Sequence, residues 1–195
     1  MRKGLKLADF GEDETLWENN NGKPLFRPVE ICWRDPVRIE RDGSIALENE
    51  TDVYKHGYLY ALVRNHGNQV TRNKITYIGI TNDLHKRFRN HPKVDEIRGM
   101  AGETSISVGV ISTPGSRPSG TAMVQLREEL EHILIWVLWE DLWNDRKTLV
   151  VPGQGGNGGR AWDITNTGFA FSGRMPKRIV FPWAAIVPRR NNTAR

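Results

Sequence analysis

The sequence predicts an α/β chain of the α+β kind, a small central antiparallel or mixed β-sheet flanked by helices, with N- and C-terminal extensions. Three observations carry this. Residues 58–63 and 74–80 are rich in β-formers and flank a polar stretch, so they read as a hairpin with a long loop. Residues 105–111 alternate, with Ile106, Val108 and Val110 on one face, and read as a third strand. The longest helix candidate runs from Thr121 to about Arg146. Its apolar positions (Val124, Leu126, Leu130, Ile133 to Ile135, Val137, Leu138, Leu142) cover most of the circumference, so it should be central and buried.

The remaining elements follow in chain order. Residues 1–28 look arm-like, broken by Asn19-Asn20-Asn21-Gly22 and then Pro24 and Pro28. Residues 29–47 suggest two short strands around the turn Arg41-Asp42-Gly43-Ser44, with Pro36 confining the first to a strand end or edge. Asn82 or Asp83 can cap a short helix over residues 84–90, and Pro92 stops it. Residues 113–120 are a loop. Residues 153–159 hold five glycines and read as a flexible loop, with no Gly-Lys-Ser/Thr to make it a phosphate loop. Residues 160–188 look like strands and turns, and the tail is polar and basic.

Composition narrows the function classes. Lys and Arg number 28 against 23 Asp and Glu, a formal charge of +5, which mildly favours an anionic partner. Hydrophobic residues at 38% argue for a folded chain over a disordered one. Cys32 is the only cysteine, which excludes an intramolecular disulfide framework and a Cys-rich zinc site. The first residues carry no apolar stretch of a secretory signal. The most apolar run, 133–139, falls far short of the roughly 20 residues of a membrane helix. A cytoplasmic protein with no membrane partner is the expectation. Of the seven tryptophans, three cluster at 136, 139 and 143, which suggests core before ligand stacking.

Three sets of residues could carry chemistry. Arg87 and His91 are four apart and would share a face of the short helix, while Lys86 and Arg89 point elsewhere. Glu131 sits in an apolar helical stripe, where a carboxylate needs a metal, a charge or a hydrogen bond. Metal ligand, catalytic carboxylate and structural ion pair are all open for it, with Glu128 as the fallback ligand. Tyr58 and Tyr60 share one strand face, and Tyr77 lies on the next strand. Asp145-Arg146-Lys147 has the Asp-x-Lys look of another nuclease class, but no Pro-Asp partner precedes it at a suitable spacing.

In their order these elements resemble the GIY-YIG nuclease family over about residues 57–145. The first motif stands as Tyr58-Leu59-Tyr60, with tyrosine replacing the usual glycine, and the second as Tyr77-Ile78-Gly79. Thr81-Asn82-Asp83-Leu84-His85-Lys86-Arg87 follows, placing the family's arginine at Arg87 and a further histidine at His91. The metal-binding glutamate corresponds to Glu131 and the late asparagine to Asn144. Ile80 sits where some members carry a lysine, and Lys74 on the same strand could supply that charge. On this resemblance residues 51–149 form the catalytic core, 1–50 an N-terminal extension and 150–195 a C-terminal one.

The resemblance implies a Mg²⁺-dependent, sequence-specific endonuclease for double-stranded DNA, most like the family's type II restriction enzymes. Mn²⁺ is a possible substitute, the products carry 5′-phosphate and 3′-hydroxyl ends, and a homodimer is expected from the symmetry of palindromic sites. Tyr60 or Tyr77 would take the water proton, with Arg87 and Lys74 lowering the phenol pKa from its usual value of about 10. Arg87 would stabilise the transition-state phosphate, Glu131 would hold the metal, His91 would relay a proton or bind the phosphate, and Asn144 would orient the metal shell or the phosphate. Lys86, Arg89 and Lys93 would line the phosphate path, and Arg174, Lys177 and Arg178 would grip or read DNA. A structure-specific repair nuclease and a non-catalytic nucleic-acid-binding module on the same scaffold are the rival readings.

Overall fold

The computed structural model describes residues 26–40, 42–46, 57–66, 73–89, 96, 101–115, 118–152, 161–172 and 175–181. They form an α+β fold in which seven strands share one mixed sheet. The strands are β1 (Arg27–Trp33), β2 (Val37–Arg38), β3 (Tyr58–Asn65), β4 (Lys74–Thr81), β5 (Glu103–Ser112), β6 (Trp162–Gly168) and β7 (Arg178–Phe181). The described helices of a turn or more are α1 (Leu84–Arg89) and α2 (Gly120–Leu138). The Gly-rich stretch 153–159 lies outside the described residues.

The sheet order is β4-β3-β5-β1-β6-β7, and β2 pairs with β5. The predicted hairpin is present as antiparallel β3 and β4, and the predicted third strand joins β3 as β5. The N- and C-terminal segments do not stand apart from these strands. β1 pairs antiparallel with β5 and parallel with β6, so strands from both extensions continue the same sheet. Pro36 falls in the break between β1 and β2, where no ladder hydrogen bond is lost. The turn after it closes on an Ile39–Ile45 bridge, with Gly43 at φ 84° and Asp42 Oδ1 accepting from the Ser44 N–H at 2.8 Å.

Strand alternation divides the core in two. Leu59, Ala61 and Val63 of β3 face α2, together with Val29, Ile31, Trp33, Ile78, Trp162, Ile164, Leu130 and Leu134. Tyr60 and Leu62 face the other way, against Leu84 and Phe88 of α1, Ile106, Val108, Ile39 and Ile45. The clustered Trp136, Trp139 and Trp143 are only partly buried, Trp136 and Trp143 packed against the core, whereas Trp33 and Trp162 are core residues. Their ring nitrogens donate to Asn166 and Glu129 at 3.0 and 2.7 Å.

The long helix ends earlier than its apolar pattern predicts. After Leu138 the chain tightens into a 3₁₀ turn, Trp139–Asp141, and Leu142 is extended. Leu142 is still buried in the α2 core, which is why the apolar spacing continues past the helix. The chain then runs along the outer edge of β4. The Trp143 N–H donates to the Thr76 carbonyl at 2.7 Å. Asn144 donates to the Ile78 carbonyl at 2.7 Å and accepts from the Ile78 N–H at 3.1 Å. An edge strand that would otherwise offer open backbone groups is thereby covered. Among the described residues, no helix is long and apolar enough to cross a membrane.

Candidate active site

The site grows out of the β3–β4 register. Tyr60 pairs with Gly79 and Leu62 with Tyr77, so both tyrosines emerge on the α1 side of the sheet. Their rings stack with centroids 6.1 Å apart, and Phe88 of α1 meets the Tyr60 ring edge-on at 5.3 Å. Gly79 makes room for this pair. A Cβ there would lie 2.6 Å from the Tyr60 hydroxyl oxygen and 2.7 Å from the Tyr77 ring.

Asp83 places the third member. Its Oδ1 accepts from the Lys86 N–H at 2.9 Å, so Asp83, of the two candidates, is the cap of α1. Leu84 and Phe88 are buried beneath the helix, which leaves Arg87 on the tyrosine side. The Arg87 Nε–H donates to the Tyr60 hydroxyl at 3.5 Å, and the guanidinium also hydrogen-bonds Tyr77. Burial opposes the Arg87 charge, but the two phenols outweigh it and hold the guanidinium above its usual pKa.

The tyrosines do not behave as the sequence suggested. Burial pushes the Tyr60 phenol well above its usual range and Tyr77 adds to this, while the Arg87 hydrogen bond and charge pull the other way without prevailing. Tyr77 is also raised, by burial first, although Arg87 again opposes. The expectation that nearby cations would lower these values is corrected: desolvation of a phenolate in the sheet costs more than the arginine returns. Tyr60 has no exposed surface, whereas Tyr77 is partly exposed.

Glu131 comes from α2 and is only 8% exposed. Its charge reaches both tyrosines. Lys147 meets it from the segment beyond the helix, its Nζ donating to Oε2 at 2.5 Å. The carboxylate therefore has the ion pair that its apolar setting demanded. Arg127, four residues earlier and 4% exposed, lies on the same helix face. It donates to the Asn82 side chain at 2.9 Å and crosses the space beside Gly57, whose φ is +95°. Asn82 is thus spent on joining α2 to the loop that starts α1, not on capping.

The other expected residues separate. Lys74 pairs with Arg64, next along the same strand face from Tyr77 across a bulge between Leu62 and Val63. Asn144 uses its carboxamide on the Ile78 backbone and holds β4 between Tyr77 and Gly79, instead of reaching into the site. Lys86 and Arg89 are exposed on α1. Lys177 and Arg178 lie by β7, at the opposite edge of the sheet from β4, and Arg178 is tied to Asp163 by two bonds of 2.7 and 2.8 Å. His91, Lys93 and Arg174 lie outside the described residues.

Lys147, Arg127 and Asn82 were not singled out from the sequence as one site. The spacing of Arg127 and Glu131 on one helix face was the available signal. Lys147 had none beyond its place in Asp145-Arg146-Lys147. Among the described residues there is no cluster of three or more His, Cys, Asp or Glu side chains that could hold a metal. No protein-family model, curated protein or solved structure matches the chain.

Proposed function

We propose that the chain is a Mg²⁺-dependent endonuclease that hydrolyses phosphodiester bonds in double-stranded DNA at a specific sequence, built on a GIY-YIG-like core and acting as a homodimer. The observation that carries this reading is the convergence of Tyr60, Tyr77 and Arg87 over Gly79, within the field of the buried carboxylate Glu131. Tyr60, Tyr77 and Arg87 meet from β3, β4 and α1, and the charge of Glu131 on α2 acts on both phenols.

The residues fit a single divalent cation. A positive group, the Lys147 ammonium, already rests on Glu131, so the pocket accommodates a cation beside that carboxylate. With no all-protein cage among the described residues, Glu131 would hold Mg²⁺ together with substrate phosphate and water, a common mode for this ion. Bound there, Mg²⁺ would supply Lewis-acid relief of charge on the phosphate and leaving oxygen.

The chain's own groups do the rest. Tyr77 is the phenol that solvent and substrate can reach. Held neutral, it accepts a hydrogen bond from the attacking water and aligns it, and as it takes the water proton it gives its own hydroxyl proton to a non-bridging oxygen of the substrate phosphate. Tyr60, sealed in the sheet, fixes Arg87 by accepting its Nε–H. The guanidinium N–H groups not spent on Tyr77 are left to meet the phosphate, where charge grows as the bond to water forms. Lys86 and Arg89 extend this positive surface along α1.

Plasmid DNA incubated with the protein and Mg²⁺ should yield discrete bands, and Glu131→Ala should abolish them while sparing binding in Ca²⁺. A smear would remove the sequence-specific reading, and equal cutting by the variant would remove Glu131 from the site. Cutting of branched DNA with linear duplex spared would favour a repair enzyme.

A further inference from the structure

The segment after α2 is held in an unusual way. Lys147 has φ +65°, a left-handed conformation that non-glycine residues rarely adopt. Before it, Trp143 and Asn144 are fastened to the β4 backbone. Beyond it, the Val150 carbonyl meets His132 Nε2 at 2.8 Å. Leu149 and Val150 are 82% and 49% exposed, so polar contacts hold this stretch, not apolar burial. It is tied to α2 at the neighbouring residues Glu131 and His132. The result is an ammonium delivered onto Glu131, the carboxylate whose charge reaches both tyrosines.

We propose that Lys147 is a tethered counter-cation of Glu131, which a divalent cation must displace to bind. The inference rests on reading Glu131 as the metal-holding residue. The reason is electrostatic. Glu131 carries one negative charge, and Arg127 on the same helix face already interacts with it. Arg87 stands over the tyrosines that feel the same carboxylate. A dication approaching with Lys147 in place would meet an ammonium already seated on Oε2, with the Arg127 and Arg87 cations near by, and beside a carboxylate that is only 8% exposed this repulsion is weakly screened. Release of Lys147 removes one of them, and the freed ammonium stays near enough to meet a phosphate. The free protein therefore takes up divalent cations poorly, and DNA phosphates favour the exchange by offering Lys147 another anion.

Lys147 acts here as a positioning residue, and the direction of the effect separates it from a structural one. Damage to the fold weakens metal binding, whereas removing a competitor tightens it. Mn²⁺ binding to the DNA-free protein, followed by the free-ion paramagnetic resonance signal, should tighten about fivefold in Lys147→Met, the upper end expected when one partly exposed ion pair is lost. Lys147→Arg should keep the weak wild-type affinity, and adding Glu131→Gln to Lys147→Met should erase the gain. In the wild-type chain, the ¹³Cε resonance of Lys147 should move when Mg²⁺ is titrated in, a reading that needs no variant to fold. Mn²⁺ binding by Lys147→Met that is no tighter than wild type, a gain that survives Glu131→Gln, or a Lys147 resonance that ignores Mg²⁺ overturns the proposal. Plasmid cleavage is scored separately. Competition without cleavage leaves this inference standing and sinks the nuclease, and cleavage without competition does the reverse.

Discussion

Tyr60 and Tyr77 are the same side chain in two environments, and in the proposed mechanism that difference separates their roles. Tyr60 is sealed between the sheet and α1, while Tyr77 is partly exposed at the site. Single-turnover cleavage should therefore fall about a hundredfold in Tyr77→Phe, the scale of a lost proton-transfer partner, and less in Tyr60→Phe, which removes only an anchor. A larger loss in Tyr60→Phe would reverse the assignment. Both phenols have raised pKa values, with burial the leading cause. Up to about pH 10 the folded and unfolded chains alike keep these protons. Above it the unfolded tyrosines ionise and the folded ones do not, so stability should fall as pH climbs beyond 10. Thermal midpoints measured from pH 8 to 11 should show the decline, and Tyr60→Phe should flatten it. A midpoint insensitive to pH in this range would contradict the burial argument.

At the scale of elements, β4 is the organising piece. It carries Tyr77, makes space for Tyr60 with Gly79, and has its outer edge closed by Trp143 and Asn144. Gly79→Ala should destabilise the protein by about 1–3 kcal/mol, as overpacking does in a filled site, and should disturb both tyrosines. Urea titration with tyrosine fluorescence checks both effects. An unchanged midpoint would mean that the pair can shift at no cost. The strands and α1 were readable because alternation and capping are local signals. The end of α2 was not. Leu142 serves the same core whether helical or extended, so hydrophobic spacing could not mark where the helix stops.

For the whole molecule, the sheet is continuous across the proposed core and its extensions. β1 is an interior strand between β5 and β6. Deleting residues 1–38 should therefore prevent folding, not release a trimmed nuclease, because β6 and β7 would lose their link to β5. Circular dichroism and protease resistance of the shortened chain test this, and a compact, active fragment would refute it. The net charge of +5 gains meaning only by position. Lys86 and Arg89 flank the site on α1, whereas Arg178 is paired with Asp163 at the far edge. Replacing Lys86 and Arg89 together with alanine should lower the salt dependence of DNA binding by about two counterions. Arg178→Ala should leave that slope nearly unchanged.

By itself the sequence determined the local pieces: three strands, two helices, a cap at the start of α1, and a carboxylate that needed compensation inside an apolar helix. It also brought forward the tyrosines, Arg87 and Glu131. Only the tertiary structure decided what compensates Glu131, since Lys147 is sixteen residues away and reaches it through a turn that no local pattern encodes. It also decided that Asn144 braces β4 and that burial overrides Arg87 at the phenols. Periodicity records which faces are apolar, whereas desolvation and ion pairing depend on what the rest of the chain places against each face.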